Sequence, residues 1–382
     1  MTLAHILGDS AQASSVASRQ DRSSRRILKR SSWRHGRLTA EVERSRLKVA
    51  EPQMTPDVLS FDEARKASTA AARTILLGNG FSIAQGGAQF SYSNLLERCG
   101  LEFDSPIRKV FQTLNTVDFE EVMRALEHAA QIETAYGDND RSKRFQLDSN
   151  VTRESLIHAI REVHPGIQFD IPDEQRNACG AFLQNFTSIF TLNYDLRLYW
   201  VILKLEVRRH SDGFGLGEEV GGFRIFQTDA HCTTHYLHGA LHLFLDDQLE
   251  TRKRILTNTT IIEDIALTIR ATKRMPLFVA EGSASQKMAK INAVPYLRHS
   301  YERLTEIEGS VFIFGHSASD NDRHVYDAIF KSKINNLFFC VHRPDRNWAP
   351  VHERLARYGN RRRNIDIIYV DAETAHVWGD AG

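Results

Sequence analysis

The sequence predicts an α/β protein built on a parallel sheet with helices on both faces. Several short runs are rich in β-branched and aromatic residues, and most of them are apolar at every position. That pattern is typical of strands covered on both faces, as the strands of a parallel sheet are. Helical patterns separate the runs, as crossover connections require. The predicted strands are residues 74–77, 188–192, 234–237, 277–280, 311–314, 337–341 and 365–370.

The stretch from residue 90 to 186 contains no convincing strand, and we predict a helical subdomain inserted there after the first strand. Asp118 is suited to be an N-cap, and Glu121 stands where a capping box needs an acidic residue. Apolar residues then recur at spacings of three and four, which indicates an amphipathic helix. These residues are Phe119, Val122, Leu126 and Ala129. Residues 196–205 are apolar almost all round and predict a buried helix.

Residues 1–53 are predicted to be a disordered basic extension. Residues 1–50 carry nine Arg and two Lys against two Asp and two Glu, a net charge of +7, whereas the whole chain carries +1. Ser and Arg without apolar periodicity cannot sustain a core. Such a segment could also bind nucleic acid, act as a transit peptide or precede the native start, since Met54 comes just before the first structured pattern. The folded domain is expected to span residues 54–382.

The composition is that of an ordinary cytoplasmic protein. It is 42% hydrophobic and 25% charged, which allows a substantial core. No apolar stretch approaches the roughly 18–20 residues that cross a bilayer, so no membrane partner is expected. The cysteines are too widely spaced for a thiolate zinc site or a disulfide framework, which fits a reducing compartment. They are Cys99, Cys179, Cys232 and Cys340.

The first chemical signal is Gly78-Asn79-Gly80-Phe81-Ser82, which follows the first predicted strand and precedes a helix expected to start at Ser82. Glycines permit a tight turn and let a phosphate approach the backbone, and free N–H groups at a helix start attract the anion. The third glycine of the full dinucleotide-binding pattern is absent. A strand, turn and helix without a ligand would explain the segment equally well.

Polar residues also follow later strands. Asn193 and Asp195 come after residues 188–192, and ligands of open α/β sheets collect at such strand ends. Either residue could instead cap the next helix. His238, beside Gly239, is a candidate general base because an unperturbed imidazole has a pKa near neutrality.

His238 also belongs to a group of four histidines spaced four, three and four residues apart. On a helix they would share one face and suggest a metal site. The segment Tyr-Leu-His-Gly instead resembles a strand that runs into a turn, so no metal is predicted. The four residues are His231, His235, His238 and His242.

A further strand, residues 311–314, ends at Gly315-His316-Ser317 and an acidic helix start. Ser317 and Asp320 could bind ribose hydroxyls or serve as ordinary caps. Lys287, after yet another strand, could contact phosphate or be solvated.

In this order, the motifs Gly-Asn-Gly-Phe-Ser, Thr-Leu-Asn-Tyr-Asp, Leu-His-Gly and Gly-His-Ser-x-x-Asp resemble those of the sirtuin-like superfamily. The resemblance consists of scattered motifs between residues 73 and 345. It looks closest to the prokaryotic sirtuin-like proteins, many of them anti-phage NAD hydrolases, and to a related bacterial family of uncharacterised function. It implies a Rossmann-like fold and NAD as the substrate.

The resemblance also implies roles for matching residues. Asn193 would lie beside the nicotinamide ribose and orient the attacking group, and His238 would be the catalytic base. The glycine turn would bind the NAD diphosphate, and the late Gly-x-Ser would contact the adenosine side. The residues implied to bind the nucleotide are Gly78, Asn79, Gly80, Phe81, Ser82, Asp195, Gly239, Gly315, Ser317 and Asp320.

Two departures from the sirtuin deacylases matter. Paired cysteines for a structural zinc do not follow His-Gly, which argues against protein deacylation, and Asn79 stands where Ala is usual. The sequence therefore predicts an NAD glycohydrolase, with anti-phage defence as its context. The alternatives are a non-catalytic NAD or ADP-ribose-binding module, a metal-dependent hydrolase and an Arg-dependent nucleic-acid binder. The expected partner is NAD or a related nucleotide and not a nucleic acid; a homo-oligomer is left open.

Overall fold

The computed structural model describes residues 57–86, 92–164, 170–204, 210–215, 219–228, 231–255, 260–279, 283–359 and 365–379. The predicted basic extension, residues 1–53, lies outside them. Residues 55–382 form one compact unit. Its described strands are β1 (Val58–Leu59), β2 (Arg73–Leu77), β3 (Ser188–Thr191), β4 (Glu219–Val220), β5 (Phe223–Ile225), β6 (Thr234–Tyr236), β7 (Gly239–Leu245), β8 (Thr251–Arg254), β9 (Pro276–Phe278), β10 (Glu308–Phe314), β11 (Lys333–Val341) and β12 (Asp366–Asp371).

Seven of these strands form one parallel sheet in the order β1-β12-β11-β10-β2-β3-β6. The predicted parallel α/β architecture is therefore confirmed. From β2 the chain moves outward through β3 to β6, and the later strands β10, β11 and β12 continue on the other side of β2. This is the strand order of a Rossmann-like fold, and its switch point lies between β2 and β10.

Successive residues of the central strands face two different cores, because side chains alternate along a strand. In β2, Ile75 and Leu77 belong to one core and Leu76 to the other. In β10, Phe312 and Ile313 divide in the same way. Both faces of the sheet are therefore covered, which explains why these strands are apolar at nearly every position.

None of the described helices is long and apolar enough to cross a membrane. The described residues between 92 and 183 form helices and their connections, without a strand. The helices are α1 (Phe61–Ala67), α2 (Asn79–Ala84), α3 (Tyr92–Arg98), α4 (Pro106–Leu114), α5 (Phe119–Ala135), α6 (Asn139–Val163), α7 (Asp173–Leu183), α8 (Arg197–Lys204), α9 (Ile261–Thr272), α10 (Ala284–Ala293), α11 (Pro295–Thr305), α12 (Arg323–Lys331) and α13 (Pro344–Gly359).

Two predicted helix starts have different outcomes. Asp118 caps α5 as predicted, because its carboxylate accepts a hydrogen bond from the N–H of Glu120 over 2.8 Å. The prediction that a helix starts at Ser82 is wrong: α2 begins at Asn79, with Gly78 as its extended N-cap. The reason is that the hydroxyl of Ser82 is hydrogen-bonded elsewhere and the glycine itself makes the turn.

A second, antiparallel sheet has the strand order β4-β5-β8-β7-β9. The predicted strand at residues 277–280 exists in part as β9, but it pairs with β7 and not with the parallel sheet; residue 280 lies outside the described residues. An apolar run does not reveal which sheet it joins. The strand β8 was not predicted from the sequence either, because Thr-Arg-Lys-Arg contains no apolar residue.

Candidate functional site

The carboxyl ends of four neighbouring strands bring predicted residues to one edge of the parallel sheet. Gly78 follows β2, Asn193 lies two residues beyond β3, His238 two residues beyond β6, and Gly315 follows β10. The strands lie side by side in the order β10-β2-β3-β6. Ligands of open α/β sheets bind at this edge, outside the switch point.

The glycine turn and the loop after β10 pack backbone against backbone. The N–H of Gly80 donates to the carbonyl oxygen of Gly315 over 2.7 Å, and the N–H of Gly78 donates to that of Phe314 over 2.9 Å. A Cβ at Gly80 would lie 2.5 Å from the Cα of Gly315, and one at Gly78 would lie 2.7 Å from its carbonyl oxygen. Gly315 itself has a φ of 71°, which favours glycine. The contact between the two loops therefore requires these glycines.

Backbone groups of the turn are already engaged. The N–H of Phe81 donates to the carbonyl oxygen of Gly78 over 2.9 Å. The indole N–H of Trp378 donates to the carbonyl oxygen of Phe81 over 2.7 Å, and the two rings lie 5.0 Å apart. The N–H groups of Gly78, Gly80 and Phe81 thus have partners without a nucleotide, and a diphosphate contact by this turn stays a prediction.

The side chain of Asn193 ties the end of β3 to the glycine turn. Its Nδ2 donates to the carbonyl oxygen of Gly78 over 3.0 Å and to the hydroxyl oxygen of Ser82 over 3.1 Å. Because a carbonyl oxygen only accepts hydrogen bonds, the orientation of the amide is fixed. Its Oδ1 is buried and has no hydrogen-bond partner among the described residues. Asn193 is therefore not a helix cap, and its Oδ1 can still accept a hydrogen bond.

Asp195 completes this hydrogen-bonded chain. The hydroxyl of Ser82 donates to Oδ2 of Asp195 over 2.5 Å. Oδ1 accepts from the N–H of Arg197 over 2.9 Å, at the start of α8, so Asp195 is the residue that plays the capping role. Ser82 is thus held between Asn193 and Asp195.

His238 lies in the turn between β6 and β7 and meets a second imidazole. Its Nε2 is 3.0 Å from Nε2 of His324, near the start of α12, and the rings stack at 5.2 Å. Only 3% of the surface of His238 is exposed. Burial holds the pKa of His238 well below its usual range and lowers that of His324 to about 4. Both imidazoles are therefore neutral at pH 7.

A carboxylate lies beside this histidine pair. Asp322 accepts from Nζ of Lys287 over 2.7 Å and from Nε2 of His316 over 3.1 Å. Burial alone would raise the pKa of Asp322, but the His316 hydrogen bond and the nearby positive groups hold it well below its usual range. One ligand-type atom each of His238, Asp322 and His324 lies within 4.8 Å of the others.

The four histidines singled out by their spacing do not share a helix face. His235 lies in β6 and stacks on Phe190, with ring centroids 4.6 Å apart. His242 lies in β7, where it stacks on the ring of Tyr199 at 4.5 Å. His231 is exposed. The predicted strand running into a turn is what the structure contains.

The remaining predicted residues lie around the same edge. Gly239 has a φ of 84°, and a Cβ there would overlap the carbonyl of Leu277. Ser317 is exposed. The carboxylate of Asp320 accepts a hydrogen bond over 2.7 Å from the hydroxyl of Tyr358, on α13. Asp320 is thus held by a neighbouring helix.

A cavity of about 770 Å³ adjoins this edge, within the size range of small-molecule sites. Two of its lining residues connect it to the histidine pair: the N–H of Val279 donates to the carbonyl oxygen of His238 over 2.8 Å, and Lys287 binds Asp322. Asn193 and His238 do not line it. Polar and apolar residues share its wall, among them Arg108, Phe111, Phe278, Gln286, Lys290 and Asn321.

Sequence reasoning missed His324 and Asp322. The signal was present, because both follow β10 within ten residues of its end, at the start of α12. Three titratable residues spaced as His316-x5-Asp322-x-His324 after a buried strand are a reason to expect a polar cluster at the strand end. What the sequence lacks is the register that brings His238 to them.

Strand order and strand-end residues define an α/β protein with a Rossmann-like sheet. Residues 75–378 match the family described as a domain of unknown function (DUF4917), and the chain belongs to that family. No curated protein matches the sequence.

The solved structures similar to the chain include Sir2Tm bound to a propionylated peptide and a Sir2 complex with a p53 peptide and NAD+. In each comparison the sequences are 12% identical, 78% of this chain and 97% of the other chain are covered, and the TM-score is 0.31.

Proposed function

We propose that this protein binds NAD at the carboxyl edge of its parallel sheet and hydrolyses the bond between nicotinamide and ribose. The observation that carries the proposal is the side chain of Asn193. Its amide is fixed by Gly78 and Ser82, and its Oδ1 is a buried acceptor without a partner among the described residues. A buried polar atom of this kind costs free energy unless a ligand supplies the missing donor.

A ribose hydroxyl is a donor of the required type. Cleavage of the N-glycosidic bond develops oxocarbenium character on the ribose, as in other glycosyl transfers. Asn193 would accept a hydrogen bond from a ribose hydroxyl and hold the sugar beside the switch point. His238, neutral because burial lowers its pKa, would accept a proton from the ribose hydroxyl or from water.

The burial of both residues sets a condition on this reaction. Asn193 is 4% exposed and His238 is 3% exposed, so the substrate reaches them only when part of their cover moves. The cavity bounded by Val279 and Lys287 is the approach that adjoins His238. Exclusion of bulk water from the closed site would favour transfer to one bound nucleophile.

The alternative is a nucleotide-binding module that does not cleave NAD. It is favoured by the burial of His238, which separates the candidate base from a substrate. This alternative predicts saturable binding of NAD or ADP-ribose to the protein without release of nicotinamide.

The deciding experiment is to incubate the full-length protein with NAD and to quantify free nicotinamide and ADP-ribose. Replacing His238 with Ala should lower kcat by about 10²–10⁴-fold, the range for loss of a general base. Replacing His128, an exposed histidine of α5, with Ala provides the matched control and should leave kcat unchanged. NAD turnover by His238→Ala at the wild-type rate would remove His238 from the mechanism.

An anti-phage role is a further part of the proposal, and it is tested in bacterial cells. Phage plating on cells that express the wild type should be reduced relative to cells that express His238→Ala. Equal plating efficiencies on the two strains would contradict a defence role while leaving the in vitro activity untouched.

A further inference from the structure

The imidazoles of His238 and His324 share a hydrogen bond to which the proposed chemistry gives no role. Their Nε2 atoms are 3.0 Å apart, and the ring planes differ by 23°. Both rings are neutral, so one proton lies between the two nitrogens and one ring donates while the other accepts. The direction of this hydrogen bond decides which nitrogen of His238 is basic.

We propose that His324 is a positioning residue that sets the tautomer of His238; this inference rests on the proposed cleavage of NAD. When His238 donates from Nε2, its Nδ1 carries the lone pair and can accept the substrate proton. When His324 donates, His238 carries its proton on Nδ1 and cannot act as a base there. The hydrogen bond that the His238 ring makes to a described residue uses Nε2, so Nδ1 is the nitrogen left for the substrate.

The backbone that carries His324 is fixed at two points. The hydroxyl of Tyr301, on α11, donates to the backbone carbonyl oxygen of His324 over 2.9 Å. Two residues earlier, Asp322 is fixed by Lys287 and His316. The tautomer of His316 is itself determined: its Nδ1 accepts from the N–H of Ala318, so its proton is on Nε2 and points at Asp322.

The charged groups around His238 and His324 have opposing effects on proton uptake by this histidine pair. When His238 accepts a proton, the pair becomes cationic, and the carboxylate of Asp322 lies close enough to stabilise that charge. Lys287 opposes the uptake, and His316 is the other titratable group that influences both rings. Asp322 thus stabilises the protonated histidine pair, whereas His324 determines which nitrogen of the neutral His238 carries the proton.

A divalent cation held by His238, His324 and Asp322 is the rival interpretation. One feature disfavours it: Nζ of Lys287 already places a positive charge 2.7 Å from Asp322.

Two substitutions of His324 separate positioning from simple space filling. His324→Gln places an amide oxygen near the former Nε2 and can still accept from His238, whereas His324→Leu removes the acceptor. For NAD cleavage by the full-length protein we expect His324→Leu to lower kcat by about 10²–10⁴-fold, with KM within about twofold of the wild-type value. His324→Gln should restore kcat to within about tenfold of wild type.

A second measurement reads the tautomer without any turnover. Nitrogen NMR of the full-length protein labelled with ¹⁵N-histidine distinguishes protonated from bare ring nitrogens, and the His238→Gln spectrum identifies the signals of His238. We expect His238 to carry its proton on Nε2 in the wild type and in His324→Gln. In His324→Leu the proton should redistribute to Nδ1.

The outcomes are distinguishable. If the wild type cleaves NAD and His324→Leu keeps its kcat, or if Gln is as damaging as Leu, the positioning role is wrong and the proposed function stands. If the wild type releases no nicotinamide, both proposals fall together. One equivalent of tightly bound metal per chain, lost in His324→Leu, would replace the tautomer proposal with a metal site.

Discussion

Gly80 and Gly315 touch through their backbones across the switch point between β2 and β10. The hydrogen bond from the N–H of Gly80 to the carbonyl oxygen of Gly315 is 2.7 Å long. The start of α2 and the loop after β10 are thereby held at a separation that leaves no space for a side chain at Gly80. This edge of the sheet is thus held by close backbone packing that does not depend on a ligand.

The first prediction concerns this contact between Gly80 and Gly315. Gly80→Ala should lower the free energy of unfolding by roughly 2–4 kcal/mol, because its Cβ would meet backbone that cannot move aside as a side chain could. Urea denaturation of the full-length protein measures the change. Gly215→Ala is the control: a Cβ there meets nothing within 4 Å, and its effect should stay within about 0.5 kcal/mol.

The second prediction concerns the ion pair of Lys287 and Asp322. The two side chains are 9% and 16% exposed, so Lys287→Met would leave a buried carboxylate with His316 as its remaining side-chain partner. We expect a loss of about 3 kcal/mol of unfolding free energy. Lys290→Met, on the same helix α10, breaks a more exposed pair with Glu120 at 3.8 Å and should cost less than about 1 kcal/mol. Equal losses in the two variants would contradict this account.

The third prediction concerns pH. Burial lowers the pKa of His242 to about 3, and the same cause lowers that of His235 to about 3 and that of His324 to about 4. In the unfolded chain each titrates near its usual value of about 6.5, so below that pH the unfolded state binds more protons and is favoured. Stability should therefore fall as the pH drops from 6.5, by roughly 2 kcal/mol for each group at pH 5.

His242→Phe isolates one of these groups. Both ring nitrogens of His242 are buried without partners among the described residues, and the ring lies between Tyr199 and Tyr236. A phenyl ring keeps the packing and cannot titrate. The difference in unfolding free energy between pH 7.5 and pH 5 should shrink by about 2 kcal/mol relative to wild type. An unchanged difference would mean that His242 does not contribute to the pH dependence.

The fourth prediction concerns the proposed domain boundary. A chain that starts at residue 54 should have the same unfolding free energy, within about 0.5 kcal/mol, and the same NAD turnover as the full-length protein, because residues 1–53 lack the apolar periodicity of a core. Nucleic-acid affinity that disappears with these residues, and that weakens steeply with salt, would instead give the basic segment a function.

The architecture was predictable where buried strands made it visible. Leu76 and Phe312 belong to runs without a polar break, and both lie in the sheet that such runs predict. The antiparallel sheet was not predictable in the same way, because Arg252 and Arg254 sit in a strand that reads as a polar loop. Hydrogen-bonded pairing with β7, and not local composition, fixes that strand.

In the candidate site, too, some features could be predicted from the sequence and others could not. Asn193 and His238 could be singled out because each follows a recognisable strand. Their partners could not: contacts to Gly78 and His324 join residues 115 and 86 positions apart. Such contacts depend on how strands are ordered across the sheet, which local pattern does not encode. That Oδ1 of Asn193 has no partner among the described residues likewise depends on these long-range contacts and on no local pattern.

The turn at His238 and Gly239 is also where the chain leaves one sheet and enters the other. β6 ends the parallel sheet, β7 begins in the antiparallel one, and Val279, beyond β9, is bonded to His238 on one side and to the hydroxyl of Tyr194 on the other. A hinge motion of one sheet against the other would therefore also displace the imidazole of His238. A ligand bound beside His238 should accordingly slow amide hydrogen exchange along β7 and β9.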